Sequence, residues 1–75
     1  MTVNKTQALL FIFYRLLTFK KVTKEEVLSE VEVSEITFKR YIQELRAYFR
    51  NFNIGYAVDY DRKTNAYYLN PLNEN

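Results

Sequence analysis

Residues 33–46, VSEITFKRYIQELR, combine two different patterns on what reads as a single helix. Apolar residues recur here and just beyond at the spacing i, i+4, i+7 and i+11, which places them within a narrow arc at about 100° per residue. These residues are Phe38, Ile42, Leu45 and Phe49. The spacing predicts a helix over residues 34–52 with one side buried in a core.

The opposite side of this predicted helix has a different chemistry. It carries Ile36, Arg40, Gln43 and Ala47, flanked by Thr37, Lys39 and Arg50. Hydrogen-bond donors, basic groups and a compact aliphatic side chain are the types that read base edges and contact phosphates. We therefore expect a binding surface here, with packing of Ile36 against the preceding helix as the alternative.

The helix before it begins with clear capping signals. Thr23 followed by Glu26 forms a capping box, which predicts Thr23 as the N-cap of a short helix over residues 24–31. Ser34 is the expected N-cap of the helix that follows. Only two or three residues then join the two helices, so we expect a sharp turn between them.

The first helix, predicted over residues 6–19, is apolar nearly all round. We expect one side of it to face the core, namely Leu9, Ile12, Phe13, Leu16 and Leu17. Leu10, Phe11 and Tyr14 are then in surplus. Either strands or the C-terminal segment cover these three residues, or they form a homodimer interface, because a contiguous exposed apolar patch usually marks an interface.

The end of the chain has the pattern of a β-hairpin. The segments YAVDY and AYYLN alternate apolar with small or polar residues, as half-buried strands do. Between them lies a polar loop, residues 61–65, in which Asn65 is the natural residue for a left-handed conformation. We predict a two-stranded hairpin over residues 56–70, with Arg62 and Lys63 at its tip.

Composition limits the chain to one small domain. It has 75 residues with neither Cys nor His, so the seven Tyr and six Phe must supply much of the core without disulfide or Cys/His metal support. The net charge of +2 is unevenly distributed: residues 22–35 carry one lysine and five glutamates, whereas residues 36–63 carry six basic and three acidic residues. This layout predicts a basic and an acidic side, although ordinary solvated surface explains it equally well.

The sequence contains no signal for an enzyme or for a membrane protein. It has no His, no Cys, no Gly-rich phosphate loop and no evident carboxylate pair, so we predict no catalytic residue, metal, cofactor or small-molecule ligand. The apolar run at residues 8–17 is interrupted by Arg15 and is shorter than the roughly 20 residues that span a bilayer. With no signal peptide recognised, we expect a cytoplasmic protein.

The order of the predicted elements is helix, short capped helix, sharp turn, long basic helix and hairpin. Three helices around one core, followed by a hairpin, are typical of a winged helix-turn-helix domain. The expected fold class is therefore mainly α with a small β hairpin. We expect residues 1–75 to form one such domain, with the hairpin leaning on the helices because an isolated hairpin is marginal in water.

Two segments, VTKEEVLSEVEVSEITFKRYIQELR and YAVDYDRKTNAYYL, resemble the winged helix-turn-helix domain of DeoR-type transcriptional regulators, including those attached to WYL domains. That family reads VS-E-R-T-apolar-x-R-D-I-x-x-L and then I-x-Y-D-x-x-x-x-G-Y-x-L. The matching residues are Val33, Ser34, Glu35, Thr37, Arg40, Ile42, Leu45, Tyr60, Asp61, Tyr67 and Leu69. Three positions depart from the family pattern. Ile36 stands where the family usually has Arg, Tyr41 where it often has Asp, and Ala66 where it usually has Gly. The family's base preference is therefore not carried over to this chain.

The resemblance implies sequence-specific binding of double-stranded DNA by a transcriptional regulator. Helix 34–52 would enter the major groove, and the tip at residues 61–65 would reach the backbone or the minor groove. The expected DNA-binding residues are Ser34, Glu35, Ile36, Thr37, Lys39, Arg40, Gln43, Arg62 and Lys63. A homodimer formed through the first helix would read two half-sites. The alternative is a winged helix that binds protein or dimerises and does not bind DNA.

Overall fold

The computed structural model describes residues 4–72, which form three helices and one three-stranded antiparallel sheet. Along the chain the elements are α1 (Lys5–Phe19), β1 (Lys21–Thr23), α2 (Lys24–Val31), α3 (Glu35–Asn51), β2 (Tyr56–Asp61) and β3 (Ala66–Pro71). The protein is therefore mainly α with a small β part. The three predicted helices are confirmed to within one residue at each end.

Each helix begins at a side chain that caps it. Asn4 accepts a hydrogen bond from the backbone N–H of Gln7 at 2.8 Å and thus caps α1. At α2 both halves of the predicted capping box form between Thr23 and Glu26. Ser34 caps α3, as predicted. These contacts satisfy N–H groups that have no partner inside a helix.

The sheet has three strands, whereas the sequence predicted a hairpin of two. β1 pairs antiparallel with β3, so that Lys21 lies opposite Tyr68 and Thr23 opposite Ala66, and the strand order is β1-β3-β2. Three residues are too few to show alternation, and the partner strand lies more than 40 residues away in sequence. The third strand gives the hairpin the support that two strands alone lack.

The turns of the C-terminal half follow the local sequence signals. Val58 lies opposite Leu69 in the β2–β3 pair, and both side chains are buried. Asn65 adopts the predicted left-handed conformation, with φ of 57°. Gly55, with φ of 86°, separates α3 from β2 at a conformation that side chains disfavour.

The core lies between the helices and the inner side of the sheet. The predicted stripe of α3 is confirmed, since Phe38, Ile42, Leu45 and Phe49 are all buried. The other buried residues of the core cluster are Ala8, Ile12, Leu16, Val22, Val27, Val31, Val58 and Leu69. Every element thus contributes to one core, as expected for a chain too short to fill a second hydrophobic core.

α1 is rotated relative to the prediction. Its buried line runs through Ala8, Ile12 and Leu16, so Leu17, predicted to be in the core, is 41% exposed. Phe11, predicted to be in surplus, instead packs against the core. Ala8, the smallest side chain on this line, is fully buried, so the helix presents its Ala8 side to the core.

Candidate nucleic-acid interface

The outer face of α3 is the most distinctive polar surface of the chain. Ile36, Lys39, Arg40 and Gln43 are all exposed, on the side opposite the buried stripe. Ile36 is 67% exposed, so it does not pack against α2. A large aliphatic side chain held in solvent among basic and amide groups is available for contact with a partner surface.

The beginning of α3 is occupied by its own cap. Ser34 Oγ accepts from the N–H of Thr37 at 3.1 Å and donates to Thr37 Oγ1 at 3.0 Å. The hydroxyl of Thr37 therefore keeps its own hydrogen available to an acceptor such as a phosphate oxygen. Of these two predicted contacts, Thr37 is half-buried and Ser34 is exposed.

The acid at the start of α3 is neutralised by a lysine from α2. Lys24 Nζ lies 2.6 Å from Glu35 Oε2. The hydrogen bond from Lys24 lowers the pKa of Glu35, and in return the same hydrogen bond raises the pKa of Lys24. The prediction missed Lys24, because two residues 11 positions apart across a turn leave no local pattern.

A groove of about 390 Å³ joins α3 to the hairpin. Its lining residues are Lys24, Glu35, Lys39, Arg46, Tyr60, Asn65 and Tyr67. Arg46 Nε donates to the backbone oxygen of Val58 at 3.0 Å and so fixes α3 to the edge strand β2. Lys39 thus lies beside the hairpin, whereas Arg40 and Gln43 lie further round the outer face.

The tip of the hairpin is short and well supported. Asp61 Oδ1 accepts from the N–H of Lys63 at 2.9 Å, and Asn65 Nδ2 donates to Glu25 of α2 at 3.3 Å. The three strands end level, because Ala66 pairs with both Asp61 and Thr23. Only the turn at residues 62–65 therefore projects past the sheet, with Arg62 and Lys63 exposed on it.

Most cations in the described part of the chain are outside ion pairs. Within residues 4–72, the paired cations are Lys5 with Glu44, Arg15 with Glu26 and Lys24 with Glu35. Across that same range, the other eight cations, Lys39, Arg40, Arg62 and Lys63 among them, have no carboxylate partner. Both acids of α3, Glu35 and Glu44, are thus neutralised by lysines of other helices. The charge left on its outer face is positive.

The residues predicted for a dimer interface do not share one environment. Leu10 and Tyr14 are exposed on the same side of α1. Phe11 is half-buried, and the guanidinium of Arg15 lies 5.8 Å from its ring. Phe11 therefore stabilises the fold and the Arg15–Glu26 pair, while the other two face solvent.

Two further properties of residues 4–72 bear on function. No three side chains of Asp and Glu in this range converge as metal ligands would. None of the helices there is long and apolar enough to cross a bilayer.

Comparison of the chain with protein-family models, with curated proteins and with solved structures finds no match. Its function must therefore be inferred from its own residues and their geometry.

Proposed function

We propose that the chain is a winged helix-turn-helix domain that binds double-stranded DNA sequence-specifically and acts as a cytoplasmic transcriptional regulator. In this proposal α2 and α3 form the helix-turn-helix, α3 lies in the major groove, and the β2–β3 hairpin is the wing. The order of elements, the turn of three residues between α2 and α3 and the antiparallel β1-β3-β2 sheet all fit this arrangement.

One observation carries the proposal: the outer face of α3 is exposed, and its acids are neutralised while its cations are not. Lys39 and Arg40 have no carboxylate partner within residues 4–72, whereas Glu35 and Glu44 are each held by a lysine. DNA is a dense array of negative charge, so a helix that enters its groove must present cations without competing carboxylates.

The spacing of the outer face suits base recognition. Ile36, Arg40 and Gln43 lie on one line along α3, and seven residues of helix rise about 10 Å. Three base-pair steps cover a similar length at about 3.4 Å each. Arg40 suits the two acceptors of guanine, Gln43 the donor and acceptor of adenine, and Ile36 a thymine methyl group.

The hairpin is better suited to the phosphate backbone than to insertion into the minor groove. Only residues 62–65 extend past the level end of the sheet, which is a short reach. Arg62 and Lys63 on this turn, with Lys39 at the groove beside the hairpin, would contact phosphates next to α3. Such contacts orient the protein but carry no sequence information.

The test is a titration of random-sequence duplex DNA at several salt concentrations, with Arg40→Ala and Lys20→Ala in parallel. Both variants lose one positive charge, but Lys20 lies by Tyr56, at the end of the sheet remote from the hairpin tip. We expect affinity to fall steeply with salt, with a slope of about −0.9 for each phosphate contact. Arg40→Ala should weaken binding, and Lys20→Ala should leave it nearly unchanged.

Equal losses in both variants would mean that only net charge matters, which would contradict recognition through α3. Absence of binding even at low salt would favour the second candidate, a protein-binding domain that does not bind DNA. That candidate draws its support from Ile36, an apolar side chain that is 67% exposed on the candidate surface. If DNA binding is found, selection of binding sites from random duplexes then identifies the operator.

A further inference from the structure

α1 and the end of α3 together expose an apolar surface, and its half-buried member Phe13 also packs against the core. The residues of this apolar patch are Leu10, Phe13, Tyr14, Leu17, Tyr48 and Phe52. Leu10 is 59% exposed, Tyr14 61% and Phe52 70%. Two helices that are separated in the sequence by β1 and α2 meet here, so the patch is a product of the fold and not of one amphipathic segment.

The patch is continuous from one helix to the other. The rings of Phe13 and Tyr48 meet edge to face at 6.0 Å between centroids, and Tyr48 and Phe52 are 5.2 Å apart. Beside them a hollow of about 370 Å³ is lined by Leu10, Phe13 and Tyr48 with four neighbours. The surface thus combines projecting side chains with a depression next to them.

The area of the apolar patch approaches that of a small specific protein–protein interface. If each of five exposed side chains contributes about 100 Å², the patch offers roughly 500 Å² of apolar surface. Small specific interfaces bury up to about 600 Å² on each partner, counting their polar rim. The patch with its rim therefore matches a weak association and falls short of an obligate one.

We propose that a second copy of this chain covers the apolar patch in a two-fold symmetric homodimer. A two-fold axis sets one surface against a copy of itself, so a surface with a net charge of one sign would repel its copy. No charged side chain belongs to the patch, and the pair at its rim, Lys5 and Glu44 at 2.6 Å, carries one charge of each sign. The patch is therefore self-complementary in charge.

The α1 part of the patch has the geometry of a helix-pairing seam. Leu10, Tyr14 and Leu17 recur at the spacing i, i+4 and i+7, which forms a line along one side of the helix. Such a line packs against an antiparallel copy of itself with Tyr14 near the symmetry axis. The tyrosine hydroxyls can hydrogen-bond to the water that remains in a small interface.

The dimer would leave the outer face of α3 free. At about 100° per residue, Tyr48 lies about 120° around the helix from Ile36, about 140° from Gln43 and about 80° from Arg40. This inference does not depend on DNA binding, because the patch and its partner are defined by the protein alone. If DNA is bound as well, two copies would present two recognition helices to two half-sites.

The test is sedimentation velocity of the whole chain without DNA over a wide concentration series. The wild type should show a monomer–dimer equilibrium, and Leu10→Glu should raise the dissociation constant at least tenfold. Ser29→Glu adds the same charge on the exposed side of α2 and should change nothing. Tyr14→Glu repeats the test at another exposed position, and circular dichroism identifies any variant that has lost its fold.

Single cysteine substitutions test which surface forms the dimer contact. Because the chain contains no cysteine, a single Tyr14→Cys change should form a disulfide-linked dimer under oxidation, and Ser29→Cys should not. A wild type that remains monomeric at millimolar concentration would overturn the proposal. So would a dimer that Leu10→Glu and Tyr14→Glu both leave unchanged, because that dimer would use another surface.

Discussion

The two faces of α3 belong to one helix and obey different constraints. On the inner face, Phe38 and Ile42 are buried in the core, so each position accepts only a particular size and shape. On the outer face, Arg40 and Gln43 contact solvent, and nothing in the fold dictates their identity. Residues that the fold does not require are the ones free to serve a partner, which is why the outer face is informative about function.

The caps of α2 and α3 repeat this contrast on a smaller scale. At α2, Glu26 closes the capping box with Thr23 and also pairs with Arg15 of α1, so the cap ties two helices together. At α3, the Ser34 side chain hydrogen-bonds to the backbone and the hydroxyl of Thr37, and both residues remain near the surface. The first cap stabilises the fold, and the second leaves a hydroxyl hydrogen for a ligand.

The largest expected effect comes from removing a ring on the inner face. The Phe38 side chain is fully buried, and the centroid of its ring lies 5.4 Å from that of the Tyr67 ring. Phe38→Ala deletes this ring and should lower the free energy of unfolding by about 3–5 kcal/mol. Ile36→Ala, two residues away on the outer face, should change it by less than about 0.5 kcal/mol. Urea unfolding followed by circular dichroism measures both, and similar losses in the two variants would refute the contrast between the faces.

The next effect tests the cap that joins two helices. Glu26→Ala removes the half of the capping box in which the Glu26 carboxylate accepts from Thr23, and it leaves the half-buried guanidinium of Arg15 without its carboxylate, so we expect a loss of about 2 kcal/mol in unfolding free energy. Ser34→Ala should cost about 1 kcal/mol, because it removes a cap alone. A larger loss from Ser34→Ala than from Glu26→Ala, in the same urea experiment, would show that the cap of α3 is the structural one.

A smaller effect concerns binding and not stability. Lys63→Ala removes one tip cation that has no carboxylate partner within residues 4–72. If it contacts a phosphate, the slope of log affinity against log salt should shrink by about 0.9, with the same loss on every DNA sequence. Titrations of a selected site and of random duplex measure this. A loss confined to the selected site would mean that the tip reads bases.

The smallest effect is expected at the exposed Lys24–Glu35 pair. Because the hydrogen bond from Lys24 lowers the pKa of Glu35 in the folded protein, the stabilisation is present above the ordinary pKa of 4.5 and is lost as pH falls through the lowered value. Glu35→Gln should therefore be slightly less stable than the wild type at neutral pH and equal to it in strong acid. Thermal unfolding at both pH values measures the difference, and a gap that persists in acid would contradict the ion-pair explanation.

Much of the fold was predictable because its signals are local. The capping box at Thr23, the cap at Ser34 and the left-handed Asn65 depend on residues within a few positions of each other. The buried stripe of α3 depends only on helical periodicity, and all four of its predicted residues are buried. The exposure of the outer face follows from the same periodicity, since a helix with one buried side must expose the other.

The features that were missed are all contacts between distant segments. β1 forms because β3 lies beside it, and the packing of α1 in the assembled core buries Ala8 and leaves Leu17 exposed. Lys24 joins the candidate interface because a sharp turn brings α2 against α3. A periodic pattern describes one helix at a time, so it cannot report how two elements are oriented.

The sequence by itself determined where the helices begin, which side of α3 is buried, and that basic and amide groups occupy the other side. Spacing and capping decide these features within a few residues, at a range where backbone geometry dominates. The tertiary structure alone decided the third strand, the rotation of α1, the neutralisation of the acids of α3 and the apolar patch shared by α1 and α3. These depend on packing a single core to close density, which couples every element to every other.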